Sequence, residues 1–174
     1  MGEPGLFSPQ LRREAAALLD DLHGRGLRLA TAESCTGGLI AALLTEIAGS
    51  SGVVERGFVT YSNAAKAEQL GVPEALLAEH GAVSEAVARA MAEGALARSH
   101  ADIAVADTGV AGPGGGSASK PVGLLHIAAV RRGGPVLHRE CRLGDIGRSA
   151  VRLAAVEAAL QLIARVATET PPGR

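Results

Sequence analysis

The sequence predicts an α/β protein, a three-layer α/β/α sandwich built as a single domain on a mixed central sheet. Segments of helical periodicity alternate with short apolar runs in the order α β α β α α α β β β α. The early runs are separated by helices, as parallel strands require, whereas the last two flank Gly133-Gly134 as an antiparallel hairpin would. The length of 174 residues suits one hydrophobic core. Hydrophobic residues make up 47 % of the chain but aromatics only 2 %, so that core must be built from Ala, Val, Leu and Ile. The domain is expected over residues 10–167, between tails at 1–9 and 168–174.

Residues 9–25 place Leu11, Ala15, Leu18, Leu19 and Leu22 on one helical stripe, ended by Gly24 and Gly26. Residues 27–32 (LRLATA) are a short apolar run before a turn and read as a buried strand. The segment after Ser34 (TGGLIAALLTEIAG) reads as a helix that Thr36 can cap, with Gly49 beyond its end. Residues 53–62 are β-branched and aromatic enough for a strand. Asn63 can cap a short helix over 64–70 that Gly71 closes. Pro73 opens another through Ala78, and Ser84 starts an Ala-rich helix to about Arg98. Residues 101–108, 122–130 and 135–143 are strands, and Ser149–Ala167 is a final amphipathic helix.

Charge and composition exclude several classes. Seventeen basic and 18 acidic residues leave a formal net charge of −1, which is no electrostatic footprint for nucleic acid. The chain has no Trp and one Tyr, so base-stacking platforms are missing too. No apolar run is long enough to span a membrane, and Met1–Gln10 lacks the pattern of a secretory signal. The two cysteines, Cys35 and Cys141, suit a reduced, cytoplasmic protein. The five histidines show no local metal-ligand spacing, so neither a metal nor another cofactor is expected.

Three segments that follow predicted strands are polar, small or Gly-rich: Glu33–Gly38, Tyr61–Lys66 and Asp107–Pro113. Ligands in open α/β sheets bind beyond the carboxyl ends of the strands, so the three can converge on one site. In the first, Ser34 sits on a strand-to-helix turn, where backbone N–H groups of the helix start would hold an oxyanion or a phosphate. The competing reading is that Ser34 and Thr36 only cap the helix. Cys35 is the rival nucleophile, but no His lies near it in sequence to act as base, so a small buried Cys packing behind the turn is the expected role. The second segment holds Tyr61, Asn63 and Lys66. Only two of the basic residues are lysines, Lys66 and Lys120, and a lysine, unlike an arginine, can lose its proton. Burial or a neighbouring positive charge would lower Lys66 into a useful range, and a neutral Lys66 could deprotonate Ser34 with Tyr61 relaying or positioning the proton. The third segment offers Thr108, Gly109, Ala111 and Gly112 as a loop that a ligand can approach closely. Arg148 and Arg152 would share a helix face and suit a phosphate, or else lie exposed, as would Arg142.

The motifs AESCTGG (32–38), GSSGVVERGFVTYSNAAK (49–66), HGAVS (80–84), TGVAGPGGG (108–116) and KPVG (120–123) resemble the CinA C-terminal domain family of nicotinamide-nucleotide amidases. The resemblance runs from about residue 10 to 165. It implies hydrolysis of nicotinamide mononucleotide to nicotinate mononucleotide and ammonia in pyridine nucleotide salvage, on an α/β/α sandwich that self-associates. By motif, Ser34, Tyr61 and Lys66 fall on the catalytic positions. Glu33, Cys35, Thr36, Gly37, Gly38, Asn63, Thr108, Gly109, Ala111, Gly112 and Arg148 fall on the substrate-binding segments. Two departures stand out. Two residues are inserted before Arg148, which bears on whether it reaches the ligand, and Asp107 stands where a small or hydroxyl residue is expected. Asp107 makes an alternative conceivable, a non-catalytic nucleotide-binding or regulatory module of the same fold. A phosphohydrolase would need a metal-binding carboxylate cluster that the sequence lacks.

Overall fold

In the computed structural model, which describes residues 5–169, a five-stranded sheet runs in the order β2-β1-β3-β4-β5. The elements are α1 (Pro9–Gly24), β1 (Leu29–Glu33), α2 (Leu39–Glu46), a 3-10 turn (Ser50–Gly52), β2 (Val54–Val59), α3 (Asn63–Leu70), α4 (Glu74–His80), α5 (Glu85–Ala97), β3 (Ile103–Gly109), β4 (Leu124–Arg131), β5 (Val136–Arg142) and α6 (Arg148–Thr168). β1 pairs parallel with β2 and β3, and the β3–β4 and β4–β5 pairs are antiparallel. The mixed sheet and the element order are those read from the sequence.

The period-two alternation of the central strands sorts them into two unlike faces. Leu29, Ile103, Val105, Leu125 and Ile127 point to one side, where they pack with α1, α2 and α6. Ala30, Ala32, Ala104, Ala106 and Ala128 point to the other, against α3, α4 and α5. Alanines on that face meet an equally small helix face, Ala88, Ala92 and Ala95 of α5, so helix and sheet approach closely without aromatic filler. Gly94 extends the same economy: a Cβ there would collide with the Leu70 carbonyl at the end of α3.

Several local expectations need correction. α2 begins at Leu39, and Thr36 does not cap it; the Glu33 carboxylate accepts from the N–H groups of Gly38, Ile40 and Ala41 instead. A longer carboxylate side chain reaching back from the strand end satisfies three orphan donors, where the short hydroxyl satisfies none. α3 begins one residue earlier than expected, because Ser62, not Asn63, accepts from Ala65 N–H. α4 runs two residues further, to His80. In the segment expected as an N-terminal tail, Phe7 is buried in the core and Ser8 caps α1. The remainder of the two expected tails, 1–4 and 170–174, lies outside the described residues.

Candidate active site

The parallel strands β1, β2 and β3 end on the same edge of the sheet, and the segments that follow them meet there. Ser34 is the first residue after β1. Lys66 lies on α3, which follows β2, and is only 1 % exposed. Its Nζ lies 2.9 Å from Ser34 Oγ, 2.8 Å from the Thr60 carbonyl and 3.3 Å from the Tyr61 carbonyl. As an ammonium Lys66 donates to all three oxygens; once neutral it keeps the two carbonyls as acceptors and turns its lone pair to the serine O–H. Burial holds Lys66 below its ordinary range, and the Asp107 carboxyl opposes that shift.

The pair opens into a cavity of about 190 Å³ lined by Ser34, Cys35, Tyr61, Lys66, Ala82, Val83, Thr108, Gly109, Ala111 and Arg148. Arg148 reaches this cavity despite the two-residue insertion, because α6 starts at Arg148 itself. It donates to the Gly112 carbonyl (2.8 Å) and to the Tyr61 hydroxyl (3.2 Å). Arg152, one turn on, donates to the Cys35 and Thr36 carbonyls and ties α6 to the serine turn. Arg142 points elsewhere and pairs with Glu140. Thr108 donates to the Ala82 carbonyl, which draws the segment before α5 into the cavity wall. Ala82 and Val83 were missed as site residues, although the motif HGAVS that contains them was the available signal.

The other expected site residues do not line this cavity. Glu33 and Thr36 are fully buried, Glu33 as the cap of α2 and Thr36 with its hydroxyl between two carboxyl groups. Gly37 and Gly38 adopt positive φ (60° and 104°), the backbone that wraps the turn around Glu33. Asn63 opens α3 away from the cavity, and Gly112 contributes the carbonyl that Arg148 holds. The relay expected of the Tyr61 hydroxyl is not formed. That hydroxyl faces Arg148 on a side chain 65 % exposed, and Lys66 already touches Ser34 directly.

Electrostatics bears on the rival nucleophile, and hydrogen bonding on the oxyanion site. Burial above all pushes the Cys35 thiol up to about 12, so it stays protonated near neutrality and makes a poor nucleophile. Most of the N–H groups after Ser34 that were expected to hold an oxyanion are occupied. Glu33 takes those of Gly38, Ile40 and Ala41, and Asp107 takes those of Ser34 (3.3 Å) and Thr36 (3.1 Å). Among the described residues, the N–H groups of Cys35 and Ala111, both in the cavity wall, donate to no protein acceptor. Nor do the described residues hold a group of three or more His, Cys, Asp or Glu that could bind a metal ion. The arrangement can activate a hydroxyl without one: a serine against an amine that burial has made easy to deprotonate.

A family model, CinA C-terminal domain, matches residues 12–167. The nicotinamide-nucleotide amidohydrolase PncC of Escherichia coli is 55 % identical over 143 residues, covering 82 % of this chain and 86 % of the relative. A CinA-like protein of Syntrophus aciditrophicus is 53 % identical over 156 residues, 89 % of this chain but 36 % of that longer relative. Among solved structures, the competence/damage inducible protein CihA from Agrobacterium tumefaciens superposes with a TM-score of 0.93 at 55 % identity. It covers 95 % of this chain and is itself covered completely.

Proposed function

This chain belongs to the CinA C-terminal domain family, and from that membership and the geometry of its site we propose that it is a nicotinamide-nucleotide amidohydrolase. It converts nicotinamide mononucleotide to nicotinate mononucleotide and ammonia. The observation that carries the chemistry is the 2.9 Å contact between Lys66 Nζ and Ser34 Oγ. Neutral Lys66 takes the serine proton as Ser34 Oγ bonds to the carboxamide carbon. The carbonyl π electrons move to oxygen, and the N–H groups of Cys35 and Ala111, two cavity-wall residues whose N–H groups have no protein acceptor, stabilise the charge there. The tetrahedral intermediate collapses, the C–N bond breaks, and the Lys66 ammonium returns its proton to the leaving nitrogen as ammonia forms. Water then attacks the acyl-serine with Lys66 again as base, releasing the carboxylic acid and restoring Ser34. Arg148, with Tyr61 beside it at the cavity mouth, supplies the cation for the nucleotide phosphate.

Asp107, the residue that made a non-catalytic reading conceivable, is fully buried behind the turn and does not line the cavity. We include a cytoplasmic location and self-association in the proposal. No helix among the described residues is long and apolar enough to cross a membrane, and the two cysteines are unpaired. Sedimentation reads the assembly state.

The test is ammonia release from nicotinamide mononucleotide, with free nicotinamide as the competitor. Ser34→Ala is expected to abolish release while leaving the circular dichroism spectrum unchanged. Wild-type turnover by that variant, or activity on the free base alone, would overturn the reading.

A further inference from the structure

Behind the serine turn lie two carboxyl groups that the reaction described above does not use. Glu33 and Asp107 are register partners on the adjacent parallel strands β1 and β3, and both are fully buried. Between them sits the Thr36 hydroxyl, 2.6 Å from Glu33 Oε2 and 2.5 Å from Asp107 Oδ1. A hydroxyl has one proton and can donate to one of these oxygens only. The second short contact needs a proton of its own, which one carboxyl must carry. The Glu33 carboxylate also disfavours a second charge on Asp107.

The surroundings decide which of them holds it. Glu33 accepts three N–H groups at the positive end of α2, the stronger setting for a negative charge. Asp107 accepts only the Ser34 and Thr36 N–H groups, at longer distances. The other charged or titratable groups facing this cluster are Lys66 from α3, Cys35 from the turn, and Arg148 and Arg152 from α6. The β4 residue in register with Asp107 is the apolar Ile127.

We propose that Asp107 is a positioning residue held as a neutral carboxylic acid: it donates its proton to Thr36 Oγ, Thr36 donates its own to Glu33, and Lys66 is left without a buried counter-ion. This rests on the serine–lysine chemistry above and deepens it. An ionised Asp107 would favour the Lys66 ammonium, which cannot accept the serine proton. Burial already pushes the Asp107 carboxyl up to about 6. The Thr36 hydroxyl opposes that push only when its proton points at Asp107; pointed at Glu33, it leaves the acid form still more favoured. The departure at position 107 is therefore a neutral hydrogen-bond donor that braces the turn, not a charge beside the substrate.

The test moves the proton. Glu33→Gln keeps an acceptor for the α2 N–H groups but removes the competing charge. It also offers an amide N–H to Thr36, which frees the Thr36 proton for Asp107 and lets Asp107 ionise. The rise of kcat/KM with pH, which reports Lys66 deprotonation, is then expected to move upward by about one pH unit or more. Adding Asp107→Asn to Glu33→Gln is expected to return it. An unmoved profile in Glu33→Gln overturns the proposal, as does a downward move in Asp107→Asn alone, which would mean that Asp107 is an anion in the wild type. Carbon-13 NMR of aspartate labelled at the carboxyl, with Asp107→Asn to assign the signal, stands even if Glu33→Gln does not fold. A protonated Asp107 carbon at neutral pH is expected, and an ionised one overturns the proposal. Because this measurement needs no substrate, it is decided separately from the amidase reading, which falls if the wild type releases no ammonia.

Discussion

Replacing Lys66 by Met separates what this buried side chain does for the reaction from what it does for the fold. Met has nearly the same length and no base. Loss of a positioned general base costs about 10²–10⁴ in rate, or about 3–5 kcal/mol of transition-state stabilisation. Stability changes far less. The Thr60 and Tyr61 carbonyls each lose a donor, at about 1–3 kcal/mol apiece where water cannot replace it. A buried thioether returns about 1.5–3 kcal/mol of hydrophobic transfer. Taking mid-values, the folded variant is expected to be about 2 kcal/mol less stable than wild type in urea unfolding, with ammonia release down at least a hundredfold. The pH dependence of stability carries a second signature. Unfolded Lys66 holds its proton up to its ordinary 10.5, whereas the folded protein holds it less tightly. Between the folded value and 10.5 the unfolded state binds the extra proton, so wild-type stability gains from this group as pH rises through that window. The Met variant should lack that gain. A variant that keeps activity within tenfold of wild type, or shows the same alkaline gain, would refute the reasoning.

Cys35→Ala is expected to stay within a few-fold of wild-type kcat/KM, because a thiol pushed up to about 12 takes no part at neutral pH; iodoacetamide should correspondingly modify Cys35 slowly at neutral pH in the native protein, as read by mass spectrometry. Tyr61→Phe removes only the 3.2 Å bond to Arg148, worth about 0.5–1.5 kcal/mol, so kcat/KM should fall roughly tenfold or less. Arg148→Met should act mainly on KM, raising it by about tenfold or more through the lost phosphate contact. A fall in kcat with KM unchanged would instead place Arg148 at the reacting carbon.

The chain by itself determined the element order, the mixed sheet and the convergence of three strand-end segments. These follow from local periodicity, from glycines and caps, and from the rule that ligands sit beyond parallel strand ends. Ser34 and Lys66 were legible as candidates from their places after β1 and β2, and the motif resemblance, not the residue types alone, chose catalysis over helix capping or a surface lysine. Tertiary structure alone decided which neighbours share a cavity and which carry its load from behind. Glu33 looked like a ligand-facing residue until the fold turned its carboxylate back onto α2. Thr36 looked like a cap until β3 brought Asp107 to its hydroxyl. Tyr61 looked like a proton relay until Arg148, 87 residues away in the chain, claimed its hydroxyl. For Thr36 and Tyr61 the deciding partner is distant in sequence, and for Glu33 it lies five to eight residues on, across a turn whose path the fold sets; a buried polar group goes to whichever partner the packed fold brings within hydrogen-bond reach.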